Sequence, residues 1–179
     1  LMQSNDPAMV IECLNGYRIK EKAPNNIGEF RVPLGKVETT KQGNDITLVT
    51  YGSTWRVVMD AAEKLEVAGI SSEVIDIQTL VPLDLSHDIA ESIKKTNRLL
   101  VIAEDVPGGA SAYILQQIIE GQDAYNFLDS EPQTLSAKEH RPPYGKDGDY
   151  FTKPSVEDIF EKVYSIIHEV NPEKFPSLY

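Results

Sequence analysis

Two turns have the composition and the position expected of a ligand-binding loop. They are residues 51–54 (YGST) and residues 105–110 (DVPGGA). Each follows an apolar, strand-like run and opens a helical pattern, so the backbone N–H groups of the first helical turn are placed to hold an anion. Neither turn contains GxGxxG or GxxxxGK followed by Ser or Thr. The phosphate-binding signal is therefore weak, and tight turns with close packing at the glycines explain these residues better.

Two adjacent carboxylates, Glu104 and Asp105, directly follow one of the apolar runs. Paired carboxylates at the end of a strand often serve as general acid and base. Consecutive side chains of an extended segment point to opposite faces, so we expect these two to share no proton and to lie in a solvated turn. The histidines are far apart and lack metal-ligand spacing; they are His87, His140 and His168.

Other catalytic patterns are incomplete. No GxSxG sequence supports a Ser-His-Asp triad. Residues 147–149 (DGD) lack the Glu at position twelve of a calcium loop, so we expect a turn there. The single cysteine, Cys13, excludes an internal disulfide and a cysteine-based zinc site, and indicates a reducing compartment. Because it lies in the apolar run 8–14, which we interpret as a buried strand, we predict a buried structural thiol.

The charge balance restricts the classes of partner. Lys and Arg total 17 against 28 Asp and Glu, which gives a net charge of −11. Such a surface repels phosphate backbones, so we expect no nucleic-acid binding. It favours either a basic protein partner or simple solubility. No apolar run approaches the roughly 18 residues of a membrane span, so we expect a soluble protein with no membrane association.

The elements around these residues alternate between strand and helix patterns. Runs rich in β-branched or apolar residues predict strands at 36–40, 45–51, 73–77, 99–103 and 133–137. Between them, apolar residues recur at helical spacing; the first such helix carries Trp55, Val58, Met59, Ala62 and Leu65, and the last carries Val156, Ile159, Phe160, Val163, Ile167 and Val170. Asp84 or Ser86 opens a short helix, and Ser155 with Asp158 forms a capping-box pattern. The fold class is therefore α/β, with a mainly parallel sheet covered on both faces.

Four strings carry a family resemblance. They are VPLGK at 32–36, DITLVTYG at 45–52, EVIDIQTLVPLD at 73–84 and IKKTNRLLVIAED at 93–105. In this order and spacing they resemble the C-terminal domain of the β subunit, or β half, of thiamine-dependent 2-oxo acid dehydrogenases of the pyruvate or branched-chain type. Flanking motifs are similar too, so the resemblance extends over about residues 6–170; they are ECLNGYR at 12–18, Gly108-Gly109 and RPPY at 141–144.

The resemblance implies a transketolase C-terminal domain-like fold. This is a three-layer α/β/α domain with a five-stranded, mostly parallel sheet and one antiparallel edge strand. Residues 1–35 would be the end of a preceding pyrimidine-binding domain and a linker, because Pro and Gly interrupt residues 15–35 repeatedly. Residues 36–170 would form the domain itself, and residues 171–179 a C-terminal extension. The loop 146–151 and the short Gly108-Gly109 turn depart from the family pattern and leave the substrate class open.

The resemblance also implies the reaction of a parent enzyme. That enzyme oxidatively decarboxylates a 2-oxo acid with thiamine diphosphate and Mg²⁺, and transfers the acyl group to lipoamide on a dihydrolipoyl acyltransferase. The family's GDG…N motif and its catalytic Glu and His have no match here, so we expect no catalytic, cofactor-binding or metal-binding residue in this chain. The chain begins at Leu1, and we expect it to be part of a longer protein in the bacterial cytoplasm or the mitochondrial matrix.

Partner docking is the role expected of the domain itself. The resemblance implies three partners: the thiamine-binding remainder of the parent, a dimer mate, and the small, basic subunit-binding domain of the acyltransferase. The polar face of the last helix offers four acidic residues for that third contact: Glu157, Asp158, Glu161 and Glu169. A solvated helix face, with acids favourable in its first turn, accounts for the same residues.

Two other functions remain open. One is a free-standing, flavodoxin-like module for a phosphate-bearing ligand or nucleotide. The other is the equivalent domain of a transketolase or deoxyxylulose-phosphate synthase. The sequence upstream of Leu1 in the parent would separate them, since a GDG…N motif and a pyrimidine domain would establish the dehydrogenase family.

Overall fold

Five strands form one mixed sheet in the order β1-β3-β2-β4-β5. The computed structural model describes residue 1, residues 4–145 and residues 147–178, except for the side chain of Asn15. The strands are β1 (Val37–Lys41), β2 (Ile46–Thr50), β3 (Ser72–Ile77), β4 (Leu99–Ile102) and β5 (Gln133–Leu135). Strand β1 runs antiparallel to β3, and the other neighbours are parallel.

Helices cover both faces of the sheet. They are α1 (Thr54–Val67), α2 (Asp88–Thr96), α3 (Ala110–Gln116), α4 (Gly148–Thr152) and α5 (Val156–Val170). A π turn, Gln117–Gly121, continues α3, and a 3₁₀ turn, Ala124–Phe127, precedes β5. Helices α1 and α5 pack on one face, where Ile46 and Leu48 of β2 are fully buried. Helices α2 and α3 pack on the other, over Val49 of β2. This arrangement confirms the predicted fold class.

Helix α5 has the predicted cap. The Ser155 hydroxyl accepts a hydrogen bond from the Asp158 N–H (3.1 Å), and the Asp158 carboxylate accepts one from the Ser155 N–H (2.9 Å). Ile159, Val163 and Ile167 are buried on the inner face of the helix, as expected from their spacing. Phe160 is only partly buried and stacks on Tyr164, with ring centroids 6.0 Å apart.

A buried carboxylate organises the start of α2. Asp84 is 1% exposed and adopts a positive φ of 34°, a conformation that Asp tolerates. It accepts hydrogen bonds from the N–H groups of Asp88 (3.1 Å) and Ile89 (2.8 Å) and from the Gln122 amide (3.0 Å). Asp84, rather than Ser86, therefore provides the helix-opening contact, and it links α2 to the end of the π turn.

The apolar run at residues 8–14 is not a strand. Met9, Val10 and Ile11 are 86%, 65% and 79% exposed, and Leu14 begins a 3₁₀ turn, Leu14–Arg18. A strand needs a neighbour to pair its backbone groups, and this segment has none among the described residues. Cys13 is half-buried instead of fully buried. The prediction of a buried strand here is therefore wrong.

The predicted turn at residues 147–149 is also corrected, because Gly148 begins the short helix α4. A Cβ at Gly148 would collide with the Pro143 carbonyl, which explains the glycine. Within the described part of the chain, no helix is both long and apolar enough to cross a bilayer.

The Asp84 contact leads to a stability prediction. Asp84→Asn keeps the size of the side chain and the tolerance of a positive φ. It replaces one acceptor oxygen by an NH₂ group, which would face N–H donors of α2 or the Gln122 amide. We expect the free energy of unfolding to fall by roughly 2 kcal/mol, because a buried donor without an acceptor costs about 1–3 kcal/mol. The control Asp60→Asn, on the exposed side of α1, should change it by less than about 0.5 kcal/mol. Denaturant unfolding measures both; equal values for the two variants would contradict the role of Asp84.

Candidate functional site

The carboxyl ends of β2 and β4 form the place where an open α/β sheet usually binds ligands. The two strands are neighbours, yet the helices that follow them, α1 and α3, pack on opposite faces of the sheet. Such a divergence leaves a crevice between the two outgoing loops. We call this region the switch-point edge, and define it by Tyr51 and Ser53 after β2, and Glu104 and Asp105 after β4.

Glu104 forms an ion pair at this edge. Its carboxylate lies 2.9 Å from the ammonium of Lys153, which follows α4. Burial alone would raise the pKa of Glu104, but the hydrogen bond and positive charge of Lys153 outweigh it and lower the pKa. The residue is exposed, as expected for a solvated turn. The pairing with Lys153, about 50 residues away in sequence, was not predicted.

Asp105 has a separate, structural partner. Its carboxylate accepts a hydrogen bond from the Ser111 N–H (3.1 Å) in the first turn of α3. Its other oxygen is buried without a hydrogen-bond partner among the described residues. A Cβ at Gly109 would collide with this carboxylate, so the Gly108-Gly109 turn leaves room for it. The expectation that Glu104 and Asp105 do not share a proton agrees with these separate contacts.

The electrostatics of the switch-point edge oppose an anionic ligand. The pKa of Tyr51 is raised, first by burial and then by the negative charges of Asp105 and Glu104. Lys153, the cation nearest to Glu104, is already paired. Across the described residues, no group of three or more His, Cys, Asp or Glu side chains is arranged to hold a metal ion. The negative charge of this edge therefore disfavours a phosphate.

The three histidines occupy three separate elements. His87 has a positive φ of 57° and precedes α2. Nδ1 of His140 lies 3.0 Å from the Arg141 carbonyl oxygen, and Nδ1 of His168 lies 2.7 Å from that of Phe175. Because a carbonyl oxygen only accepts, the last two rings carry a proton on Nδ1. The structure brings none of them to the switch-point edge in a triad.

A pair of carboxylates at the edge of the sheet was missed from the sequence. Glu38 of β1 and Asp76 of β3 are directly opposite each other in the antiparallel ladder. Burial and the charge of Glu38 raise the pKa of Asp76 from 3.8 to about 6. The Gln78 amide donates to the Asp76 carboxylate at 2.6 Å. The strand register that creates this pair joins residues 38 positions apart in the sequence. No local sequence pattern therefore predicts the pair.

The four acidic residues predicted for docking all lie on α5, but their contacts differ. Glu157 forms an ion pair with Lys64 (2.8 Å) and accepts a hydrogen bond from Tyr150 (3.1 Å). The hydrogen bond from Lys64 is the main cause that lowers its pKa. Asp158 belongs to the capping box of α5. Glu161 and Glu169 are exposed on the same helix.

The family model described as transketolase, C-terminal domain, matches residues 35–159. The chain belongs to this family. Similar proteins also confirm the resemblance to 2-oxo acid dehydrogenase β subunits that the sequence motifs indicated. A pyruvate dehydrogenase E1 component subunit beta from Mesostigma viride is 31% identical over 93% of the chain and 50% of the relative. One from Staphylococcus epidermidis is 38% identical over 66% of the chain and 36% of the relative. The chain spans about half the length, or less, of these curated relatives.

Solved structures with a similar fold include a transketolase and an oxidoreductase. A split-gene transketolase, described as an inactive β4 tetramer, has a TM-score of 0.61 at 19% identity, over 80% of this chain and 45% of that one. A 2-oxoglutarate:ferredoxin oxidoreductase from Magnetococcus marinus has a TM-score of 0.50 at 20% identity, over 80% of this chain and 21% of that one. At these identities the likeness concerns the fold alone.

The Glu38–Asp76 pair leads to a prediction about pH. The pKa of Asp76 is raised in the folded domain, so this group favours folding below pH 4, and that contribution is lost as the pH rises through about 6. Asp76→Asn should therefore be more stable than wild type at pH 7.5, by roughly 1 kcal/mol after allowance for partial exposure, and similar to it at pH 4.

Thermal unfolding between pH 4 and pH 8 measures this difference. Glu38→Gln should give a smaller gain in the same direction, because it removes the repelling neighbour and leaves the burial. Stability curves that stay parallel over the whole range for wild type and Asp76→Asn would contradict the assignment.

Proposed function

We propose that the chain is the C-terminal domain of the β subunit of the first, decarboxylating component of a 2-oxo acid dehydrogenase complex, and that it serves in assembly and partner docking. The parent would oxidatively decarboxylate a 2-oxo acid with thiamine diphosphate and Mg²⁺ and pass the acyl group to lipoamide. The named relatives support this proposal, since both are pyruvate dehydrogenase β subunits. Its expected location is the bacterial cytoplasm or the mitochondrial matrix.

The proposed division of the chain assigns residues 1–35 to a linker and the end of a preceding domain, residues 36–170 to this domain, and residues 171–179 to an extension. The exposure of large apolar side chains before residue 35 supports it; they include Met9, Val10, Ile11, Leu14, Tyr17, Ile27 and Phe30. These side chains are exposed to solvent on this domain. We propose that they are buried by contact with the thiamine-binding remainder of the parent and with the dimer mate.

The contacts of the linker indicate where the remainder would lie. The linker leads into β1, whose first residue, Val37, is opposite Ile77 at the carboxyl end of β3. The Gly35 carbonyl accepts a hydrogen bond from the Leu85 N–H (2.7 Å), and Glu21 pairs with Arg56 in α1. The linker therefore approaches the carboxyl end of the sheet. Burial of this end in the intact enzyme is part of the proposal.

The described residues do not fit thiamine diphosphate with Mg²⁺. A diphosphate needs cations or free N–H groups, and Mg²⁺ needs a set of oxygen ligands. The switch-point edge offers Glu104 and Asp105 with one cation that is already paired. In the described part of the chain, no group of three or more His, Cys, Asp or Glu side chains is arranged to hold a metal ion. We therefore assign no catalytic step to this chain's residues. The same negative charge argues against the alternative of a free-standing phosphate or nucleotide module.

The docking role rests on α5. We propose that Glu157, Asp158, Glu161 and Glu169 attract the basic subunit-binding domain of the dihydrolipoyl acyltransferase. A net charge of −11 adds a long-range attraction for such a partner. Because a change of Glu157 or Asp158 would also break the Lys64 ion pair or the helix cap, the test changes Glu161 and Glu169.

The first test concerns the cofactor. We expect the isolated chain to bind thiamine diphosphate with no measurable affinity, with or without Mg²⁺, because the switch-point edge carries negative charge. Isothermal titration calorimetry of the chain measures this directly, with the intact parent as the positive control. Micromolar binding by the isolated chain would contradict the proposal that the remainder of the parent enzyme, and not this chain, binds the cofactor.

The second test concerns docking. We expect the double reversal Glu161→Lys and Glu169→Lys in the parent enzyme to weaken binding of the cognate subunit-binding domain by roughly tenfold at low salt, with a smaller difference at high salt. Surface plasmon resonance at two salt concentrations measures both. The free energy of unfolding should change by less than about 0.5 kcal/mol, since both side chains are exposed.

A matched control separates local docking from net charge. Glu91→Lys with Glu120→Lys makes the same change of charge on α2 and the π turn, which pack on the opposite face of the sheet. It also removes the exposed Glu91–Lys94 ion pair and the Gln116–Glu120 hydrogen bond, both on that opposite face. It should leave the affinity close to that of wild type. Equal weakening by both double variants would mean that the attraction is general rather than located on α5.

A further inference from the structure

Three polar side chains form a row across three neighbouring strands, near the carboxyl ends of β2 and β3. In the strand register, Glu38 of β1 is opposite Asp76 of β3, and Asp76 is opposite Thr50 of β2. Residues that are opposite each other in a sheet present their side chains to the same face. Two positions earlier on their strands, Leu48 and Val74 belong to the core cluster beneath α1 and α5. Because side chains alternate with a period of two, the row lies on that face.

The two acids of the row lack a positive partner. Among the described residues, neither Glu38 nor Asp76 forms an ion pair. The Gln78 amide donates to Oδ2 of Asp76 (2.6 Å) and leaves the Oδ1 atom available. Burial and the charge of Glu38 raise the pKa of Asp76 to about 6. Above that pH two negative charges face each other on adjacent strands, and a cation between them would relieve the repulsion.

The third member of the row adds an independent sign of a ligand. Thr50 is fully buried, and its hydroxyl has no hydrogen-bond partner among the described residues. Buried polar atoms nearly always have a partner. Because the Thr50 side chain lies beside that of Asp76 on the same face, its hydroxyl is an oxygen donor next to the carboxylates that no described group of the chain uses.

The chemistry of the row selects a class of ion. All of its donor atoms are oxygens, which favours hard cations over metals that prefer nitrogen or sulfur. Directly opposite side chains have Cβ atoms roughly 4.5–5.5 Å apart, and Ca²⁺ binds oxygen at about 2.3–2.6 Å, so one ion can reach carboxylates on both strands. Ca²⁺ fits better than Mg²⁺, because it accepts irregular sets of ligands whereas Mg²⁺ requires near-octahedral geometry.

We propose that this row is a binding site for a divalent cation, preferably Ca²⁺, in which the carboxylates of Glu38 and Asp76 and the hydroxyl of Thr50 are ligands and water completes the coordination. The ion would tie the antiparallel edge strand β1 to β3 and β2. With only two charged ligands, we expect a dissociation constant of about 10⁻⁴–10⁻³ M. The site is separate from the Mg²⁺ that accompanies thiamine diphosphate in the proposed parent. The inference does not rest on the docking function, and its failure would leave that function untouched.

The test measures Ca²⁺ binding by the full chain of 179 residues at pH 7.5, freed of metal and without thiamine diphosphate. Isothermal titration calorimetry with CaCl₂ should give one site, and MgCl₂ should bind at least about fivefold more weakly. Asp76→Asn and Glu38→Gln should each weaken Ca²⁺ binding at least about tenfold, because each removes a charged ligand. Asp60→Asn is the matched control, since it removes one charge from the exposed side of α1 and should leave the affinity nearly unchanged.

Thr50→Val separates a ligand from a merely structural residue. It keeps the shape of the side chain and removes a buried hydroxyl that has no partner, so the thermal midpoint measured in EDTA should not fall below that of wild type. The same variant should weaken Ca²⁺ binding by roughly threefold to fivefold, as expected for loss of one neutral ligand. An unchanged affinity would overturn Thr50 as a ligand.

Trp55 can report the position of the ion. It is the only tryptophan of the chain, and its indole N–H donates to the hydroxyl of Thr40 (3.0 Å), two positions along β1 from Glu38. Tb³⁺, which occupies Ca²⁺ sites, should therefore emit on excitation of Trp55, and added Ca²⁺ should suppress the emission. Ca²⁺ binding without this emission would place the ion elsewhere and overturn the row as its site.

Two further results would overturn the site itself. One is the absence of both heat and a rise in thermal midpoint at about 10 mM Ca²⁺, roughly ten times the weakest dissociation constant expected. The other is equal weakening of binding by Asp60→Asn and Asp76→Asn, since the ion would then respond to net charge rather than to this row. Thermal midpoints of all variants in EDTA show that each of them is folded.

Discussion

The fold depends on one constraint: strand β2 is buried along its whole length and has no face to present to water. It lies between β3 and β4 in the sheet, and its side chains enter both core clusters. Of its two buried hydroxyls, that of Thr47 lies 2.7 Å from the hydroxyls of Ser92 and Thr96, both in α2. The hydroxyl of Thr50 is buried without a hydrogen-bond partner among the described residues. A strand of this kind requires helices on both sides, so the three layers follow from it.

The same constraint determines what the carboxyl end of the sheet can do. Because β2 and β4 send their helices to opposite faces, their outgoing loops separate and leave a crevice. Here the chain's own Glu104 and Lys153 meet at that crevice, and Asp105 is used to cap α3. Both contacts are made within the chain, and they place carboxylates at the crevice that an open α/β sheet usually offers to a ligand.

The features predicted from the sequence are those set by local patterns. Strands β2 and β4 follow from short runs of buried aliphatic and β-branched residues, and the cap of α5 follows from Ser155 and Asp158 three positions apart. The Glu38–Asp76 and Glu104–Lys153 contacts depend on strand register and on loop paths that no local pattern encodes. The run 8–14 was assigned wrongly because its apolar character is real, but a strand also requires a partner. The burial of Phe175, beyond the last helix, was missed for a similar reason, since one aromatic residue has no periodicity.

The role of Asp158 in the helix cap has a consequence for how partner choice could evolve. As the reciprocal member of the capping box, it is tied to the stability of α5, and Glu157 is tied to Lys64 of α1. Glu161 and Glu169 lie further along the same exposed face, beyond both of those contacts. If docking occurs on this face, two related complexes in one cell could diverge at these two positions while the helix itself stays unchanged. Different residues at these two positions in two paralogues would then allow each enzyme to bind its own acyltransferase and not that of the other complex.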